Sequence, residues 1–318
     1  MDVKSASGTI GVVGTGVIGA GWAAYFLAKG FDVAASDPAE GAEMRLRTFV
    51  DMAWPTLEQL GLADGASRSR LRFDPDVAQA CADCVFVQES GPERTDLKRD
   101  LLAKISAAVP RTSLIATGSS GILISDIQDA AVCPERVVVG HPFNPSHLMP
   151  LVEVVAGRLT SDEWLARALQ FYRAIGKKPV HIRGEVTGHV ANRLQAALWR
   201  EAFYLVQQGI VSVGDIDTVV ADGLGLRWAL LGPFVNLHLS GGAGGISHVL
   251  EHLGPSLEAW WHDLGDVSLN DSLNGLIVSG LDSELAGVDL GDIVARRDRQ
   301  LSGLLKLKDV SACAATTS

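Results

Sequence analysis

No run of apolar residues in this chain approaches the length of a membrane span, and no cluster of lysine and arginine offsets its formal charge of -10. The first absence speaks against a helical membrane anchor. The second leaves nucleic acid and anionic membrane surfaces without the concentrated cations that either one needs. Cysteine is scarce too: Cys81, Cys84, Cys133 and Cys313 are too few to staple 318 residues together. The CxxC formed by Cys81 and Cys84 has no second pair and leads into the apolar run CVFVQ, so it reads as a helix end entering a buried strand, not as a zinc or redox site. The first residues run straight into a strand without the cationic start, apolar stretch and cleavage site of a secretory signal, which makes the cytoplasm the expected compartment. Small molecules are what remains as partners.

What is present is a large supply of core: 47% of residues are hydrophobic and only 20% charged, enough for one big domain or two ordinary ones. From the N-terminus, short β-rich runs (TIGVVG, DVAASD, CVFVQE, SLIATG, RVVVGH) alternate with amphipathic helical stretches such as TDLKRDLLAKISAAV. Strands separated by helices imply parallel pairing and a doubly wound α/β sheet of Rossmann type. A further helix is expected over residues 161–176, then a short strand, KPVHIR. From about Gly188 the pattern becomes almost wholly helical, beginning with HVANRLQAALWREAFYLVQQG. The expectation is an N-terminal nucleotide-binding domain over 1–185 and an all-helical substrate-binding and dimerisation domain over 186–318, whose tail from about residue 310 is small, polar and expected to be disordered.

Gly14, Gly16 and Gly19 form G-x-G-x-x-G directly after the first strand and at the start of a helix, and Asp37 ends the next strand. In that setting the first glycine makes a tight turn, the second admits a pyrophosphate against the backbone, and the third lets helix and strand pack closely. The helix N-terminus supplies free N–H groups and positive potential. Asp37 would accept from the adenosine ribose hydroxyls and repel a 2′-phosphate, and no arginine follows it closely, which favours NAD over NADP.

His141 stands where the apolar run VVVG ends, with Phe143 and Asn144 after it and a lone acid, Glu153, in the next apolar run. A titratable ring at a strand end is either a turn-capping group before Pro142 or a group facing the ligand crevice. GSSG after one strand, GHPFNP after the next, LVEVV beyond and GHVANRLQAALWREA opening the helical part decide between them. In that order they resemble the 3-hydroxyacyl-CoA dehydrogenase family, and LVQQGIVS and GLGLRWALLGPF look most like its branch acting on small free acids such as L-gulonate or L-carnitine.

The resemblance implies NAD-dependent oxidation of a 3-hydroxyl, with His141 as acid/base and Glu153 orienting it. Ser120 and Asn192 would bond the substrate oxygen, although Ser119 adjoins Ser120 and the register is open. Lys98 and Glu93 would lie near the cofactor, each with an alternative as a solvated charge at a helix start. The resemblance also implies a homodimer. Arg227, charged within an apolar run, is a carboxylate anchor or an interface ion-pair partner. Phe143, Trp199 and Trp228 are candidates to surround a quaternary ammonium. The HVLEH stretch at 248–252 fits a zinc-helix spacing but has no evident third ligand, and no metal is expected. The alternatives are a CoA thioester substrate, for which Arg68, Arg70 and Arg72 offer one small basic cluster, and a non-catalytic NAD-binding structural protein.

Overall fold

The computed structural model describes residues 8–315, with side chains through Lys308. By internal contacts the chain falls into two compact units: one runs to Arg193 and includes Arg296–Leu307, the other comprises Leu194–Ala295 and the residues from Lys308 on. By contacts the division falls inside a helix whose first turn is bonded to a carboxylate of the sheet.

The first unit is built on eight strands: β1 Thr9–Val13, β2 Asp32–Ser36, β3 Leu71–Phe73, β4 Cys84–Glu89, β5 Leu114–Thr117, β6 Val137–Pro142, β7 Leu151–Ala156 and β8 Lys178–Ile182. They lie in the order β3-β2-β1-β4-β5-β6-β7-β8. Order runs outward in both directions from the β1/β4 junction, which is where an open α/β sheet forms its ligand crevice. The helices of this unit are α1 Val17–Ala28, α2 Ala42–Leu60, α3 Val77–Cys81, α4 Thr95–Ala108 and α5 Asp162–Ala174. Successive strand residues alternate between two apolar clusters, Ile10 and Val12 against Val13, Val33 and Ala35 against Ala34, Phe86 against Val87. That alternation is what a sheet covered on both faces requires. α1 is buried almost all round, Trp22 stacking on Phe26 at 5.1 Å, which its Ala- and Gly-rich sequence allows.

One pairing departs from the parallel pattern. β7 runs antiparallel to β6, with His141 opposite Glu153, while β8 is again parallel to β7. The reversal follows from the short link 143–150, since a parallel crossover needs a dozen or more residues. The CxxC lies as its sequence suggests, with Cys81 ending α3, Cys84 opening β4 and both thiols free and buried.

The second unit is helical: most of α6 (Ala191–Gln207), then α7 Val213–Thr218, a π-helical stretch Val219–Leu224, α8 Gly225–Leu230, α9 Pro233–Ser240, α10 Gly245–Asp263, α11 Asp271–Glu284 and parts of α12, Leu290–Ala315. Its buried apolar side chains among the described residues are Ala202, Val206, Val249 and Leu273. Phe234 is 81% exposed, Trp261 65% and Trp260 55%. No single helix among the described residues is long and apolar enough to cross a membrane. The tail expected to be disordered from about residue 310 falls at the end of α12 as far as Ala315 and on residues 316–318, which lie outside the described residues.

Candidate active site

The glycine turn is held from two sides. Gly14 takes φ +84° and donates its N–H to the Ser36 carbonyl at 2.8 Å, while a Cβ there would meet the Ser90 and Gly91 backbone at 2.7 Å. A Cβ on Gly19 would lie 1.8 Å from the Gly14 carbonyl oxygen, so helix and turn touch only because residue 19 is glycine. Gly16 differs: a Cβ there would meet nothing within 4 Å. It faces open space at the N-cap of α1, where no side chain caps the helix and no acid stands in the first turn. An uncapped helix start beside open space is the cradle a pyrophosphate fits. Asp37 reaches back to this turn, accepting from the Thr15 N–H at 2.8 Å and its hydroxyl at 3.1 Å through Oδ2, and from the Ala39 N–H at 3.0 Å through Oδ1. The acid therefore braces the turn as well as ending β2.

Antiparallel pairing puts directly opposed residues on the same face, and here it makes a dyad. His141 Nδ1 lies 2.9 Å from Glu153 Oε2, and both side chains are buried. Glu153 Oε1 accepts from the Val190 and Ala191 N–H groups at 3.0 and 2.9 Å, so one carboxylate orients the imidazole and caps α6. Burial would raise the Glu153 carboxyl, but the His141 bond, the Ala191 and Val190 N–H groups and the imidazole charge outweigh it and hold the carboxyl below its ordinary range. With Nδ1 committed to the carboxylate, Nε2 is the nitrogen of His141 bonded to no described residue. The Phe143 ring stands edge-on to His141 at 5.5 Å.

The GSSG loop after β5 separates its two serines. Ser119 is buried and its hydroxyl bonds Glu93 Oε1 at 2.7 Å and the Ile122 carbonyl at 3.1 Å. Ser120 is partly exposed, and its hydroxyl has no hydrogen bond to any described residue, so Ser120 is the serine free to meet a ligand. Glu93 Oε1 also accepts from the N–H groups of Ser120, Gly121 and Ile122 at 3.0, 2.7 and 3.0 Å. Burial opposes charge on Glu93, yet these donors with Ser119 and Lys98 hold its carboxyl below the ordinary range. Lys98 is enclosed, neither solvated nor open to the crevice. Its Nζ donates to both Glu89 oxygens at 3.1 and 3.0 Å and to the Gly91 carbonyl at 3.2 Å, with Glu93 Oε2 at 3.7 Å. Glu89 also accepts from the Thr117 hydroxyl at 2.5 Å, making β4, β5 and α4 one buried polar knot beneath the loop.

Asn192, the second residue of α6, is half-buried and its side chain is bonded to no described residue. Dyad, glycine turn, Ser120, Asn192, Glu93 and Lys98 thus belong to the first unit, whereas Arg227 lies exposed on α8 in the second. Sequence reasoning missed Glu89 and His189. His189 is buried, its ring 5.1 Å from that of His141 and its Nε2 2.9 Å from the Ser119 carbonyl oxygen. The only signal for Glu89 was an acid at the end of an apolar run; for His189 it was a histidine after a glycine at the helix start.

The small basic cluster is neutralised: Arg68 pairs with Asp51 at 2.5 Å, Arg70 with Asp32 at 3.0 Å and Arg72 with Asp83. The described residues hold no group of three or more His, Cys, Asp or Glu that could bind a metal ion.

Residues 9–186 match the family 3-hydroxyacyl-CoA dehydrogenase, NAD binding domain, and residues 188–266 match 3-hydroxyacyl-CoA dehydrogenase, C-terminal domain. The chain is 50% identical over 297 residues to an L-carnitine dehydrogenase of Streptomyces coelicolor, covering 93% of both chains. It is 45% identical over 304 residues to one of Bacillus cereus, covering 96% of this chain and 93% of the relative. Among solved structures, 5-formyl-3-hydroxy-2-methylpyridine 4-carboxylic acid 5-dehydrogenase, an NAD+ dependent dismutase, has a TM-score of 0.81 at 28% identity, covering 95% of this chain and 98% of that one.

Proposed function

From the premise that this chain belongs to the 3-hydroxyacyl-CoA dehydrogenase family, we propose that its substrate is L-carnitine, oxidised at the 3-hydroxyl with His141 and Glu153 as the acid/base pair. The protein is an NAD-dependent dehydrogenase of a small 3-hydroxy acid. The observation that carries the choice of acid is the 50% identity to an L-carnitine dehydrogenase across 93% of both chains.

Bound NAD supplies the hydride acceptor. His141 Nε2 takes the hydroxyl proton as the carbon–hydrogen bond breaks, and Glu153 steadies the imidazolium that forms. Ser120 and Asn192, whose side-chain polar atoms are bonded to no described residue, hold the substrate oxygen. In the reverse direction the same nitrogen returns the proton. Phe143, edge-on to His141, would pack against the quaternary ammonium. The ion pairs of Arg68, Arg70 and Arg72 leave that cluster with no free cation for a CoA phosphate, which favours a free acid over a thioester.

The protein works as a homodimer on this reading. Among the described residues this helical unit of about a hundred residues buries four apolar side chains, a small core, and exposed Phe234, Trp260 and Trp261 supply the apolar surface a second copy would cover. Free buried thiols at Cys81, Cys84 and Cys133 suit the reducing cytoplasm. Offering purified protein and NAD a panel of L-carnitine, D-carnitine, L-gulonate and a 3-hydroxyacyl-CoA tests the function. NADH formation is expected with L-carnitine; a higher kcat/KM on another member would replace the substrate, and no NADH from any would favour a non-catalytic role.

A further inference from the structure

His189 is the one non-glycine among the described residues with positive φ, +50°. It follows Gly188 at φ +78°, and the bend places the next two N–H groups, of Val190 and Ala191, on Glu153. Non-glycine residues reach this region seldom, and histidine is among the types that tolerate it. The residue is 2% exposed. Because a carbonyl only accepts, the contact with Ser119 requires that Nε2 carry a hydrogen and donate it. Nδ1 is buried without a hydrogen-bond partner. A hydrocarbon ring would fill this space without burying a bare nitrogen, so packing does not account for an imidazole here. The Nε2–H does. Glu93 grips the serine loop by the N–H groups of Ser120, Gly121 and Ile122, and His189 grips the same loop by the carbonyl of Ser119.

We propose that His189 is a positioning residue of the reaction: its Nε2–H bond to the Ser119 carbonyl sets the Ser120 hydroxyl relative to the His141 dyad. The inference rests on the reading of His141, Glu153 and Ser120 as the reacting and substrate-holding groups. It assigns a role to the one buried imidazole beside the dyad that the chemistry itself does not use.

The test compares His189→Phe, which fills the space without a donor, with His189→Gln, whose side-chain amide N–H can take the place of Nε2–H. His189→Asn, too short to reach the carbonyl, stands in if the Phe variant does not fold. The Phe or Asn variant should lose on the order of 10–100-fold in kcat for substrate oxidation, as supporting hydrogen bonds at reacting centres do when removed. NADH affinity by fluorescence titration should stay at the wild-type value, and Gln should restore most of the rate. Wild-type kcat in the donor-less variant overturns the proposal. So does a Gln variant as slow as Phe or Asn, or a loss of NADH affinity that parallels the loss of rate. His141→Ala measured alongside separates the two levels: if it remains active, the site reading fails, and if it is dead while the donor-less His189 variant turns over at the wild-type rate, only the role of His189 fails.

Discussion

Glutamine in place of Glu153 probes the dyad with almost no change of shape. In the wild type Oε2 serves His141 Nδ1 at 2.9 Å and Oε1 serves the Val190 and Ala191 N–H groups at 3.0 and 2.9 Å. An amide has one acceptor and one donor end, so glutamine must choose between these partners. Turning its oxygen to His141 points N–H at the helix start and strands two buried donors; at about 1–3 kcal/mol for each unsatisfied group, that costs roughly 2–6 kcal/mol. Turning its oxygen to the helix keeps both backbone bonds and presents an N–H to Nδ1, which must then be the lone pair. This second arrangement costs less and moves the imidazole hydrogen to Nε2, the nitrogen proposed to accept the substrate proton. Positioned acid–base catalysis contributes about 10²–10⁴-fold, so kcat should fall by that factor, roughly 3–5 kcal/mol of barrier. NADH formation followed by absorbance measures the rate, and fluorescence titration should show unchanged NADH affinity. A folded Glu153→Gln enzyme turning over near the wild-type rate would refute the dyad.

Asp37→Ala should weaken NAD binding and relax discrimination against NADP, and it should also loosen the glycine turn, since the Thr15 N–H and hydroxyl lose their acceptor; a wild-type enzyme that already prefers NADP would contradict this. His147 is buried with no hydrogen-bond partner on either ring nitrogen, and burial, opposed by Asp298 and reinforced by Lys177 and Arg297, lowers its pKa from 6.5 to about 4. Between those values the unfolded chain takes up a proton that the folded one refuses, so stability should drop as pH falls from 6.5 towards 4, by roughly 3 kcal/mol from this group. His147→Gln should flatten the dependence of Tm on pH over that window, and parallel curves would remove the assignment. Light scattering at micromolar concentration should give twice the chain mass, and Arg227→Ala should weaken dimerisation or substrate binding; a fully active monomer with Arg227→Ala unchanged in both assays would exclude the proposed interface.

Much of this was legible from local pattern. Residues such as Val12, Val33 and Val87 write strands whatever surrounds them, and Gly14, Gly16 and Gly19 announce their turn by spacing alone. β3 was not legible because Leu71–Phe73 is three residues long and owes its pairing to β2. Sequence order placed His141 and Glu153 twelve residues apart but not on facing strands, since the sense of β7 depends on how the link 143–150 turns. Lys98 illustrates a different limit. A lysine near a helix start normally meets water, and only the fold shows Glu89 and the Gly91 carbonyl waiting beneath it. His189 was invisible for the same reason: its partner, the Ser119 carbonyl, is 70 residues away and belongs to the backbone, which no side-chain pattern reports.

The three glycines of the turn answer to different masters. Gly14 and Gly19 are demanded by the polypeptide, whose own atoms occupy the space where a Cβ would go, whereas a Cβ on Gly16 would meet nothing within 4 Å, so on the proposed reading only a visitor demands glycine there. Alanine at Gly14 or Gly19 should therefore appear as misfolding, while alanine at Gly16 should leave a sound protein blind to its dinucleotide. A descendant kept for bulk or scaffolding, with its chemistry abandoned, would be free to drift at position 16 first and would hold positions 14 and 19 to the end. Substitution at that single site is thus a record of whether such a protein is still kept as an enzyme.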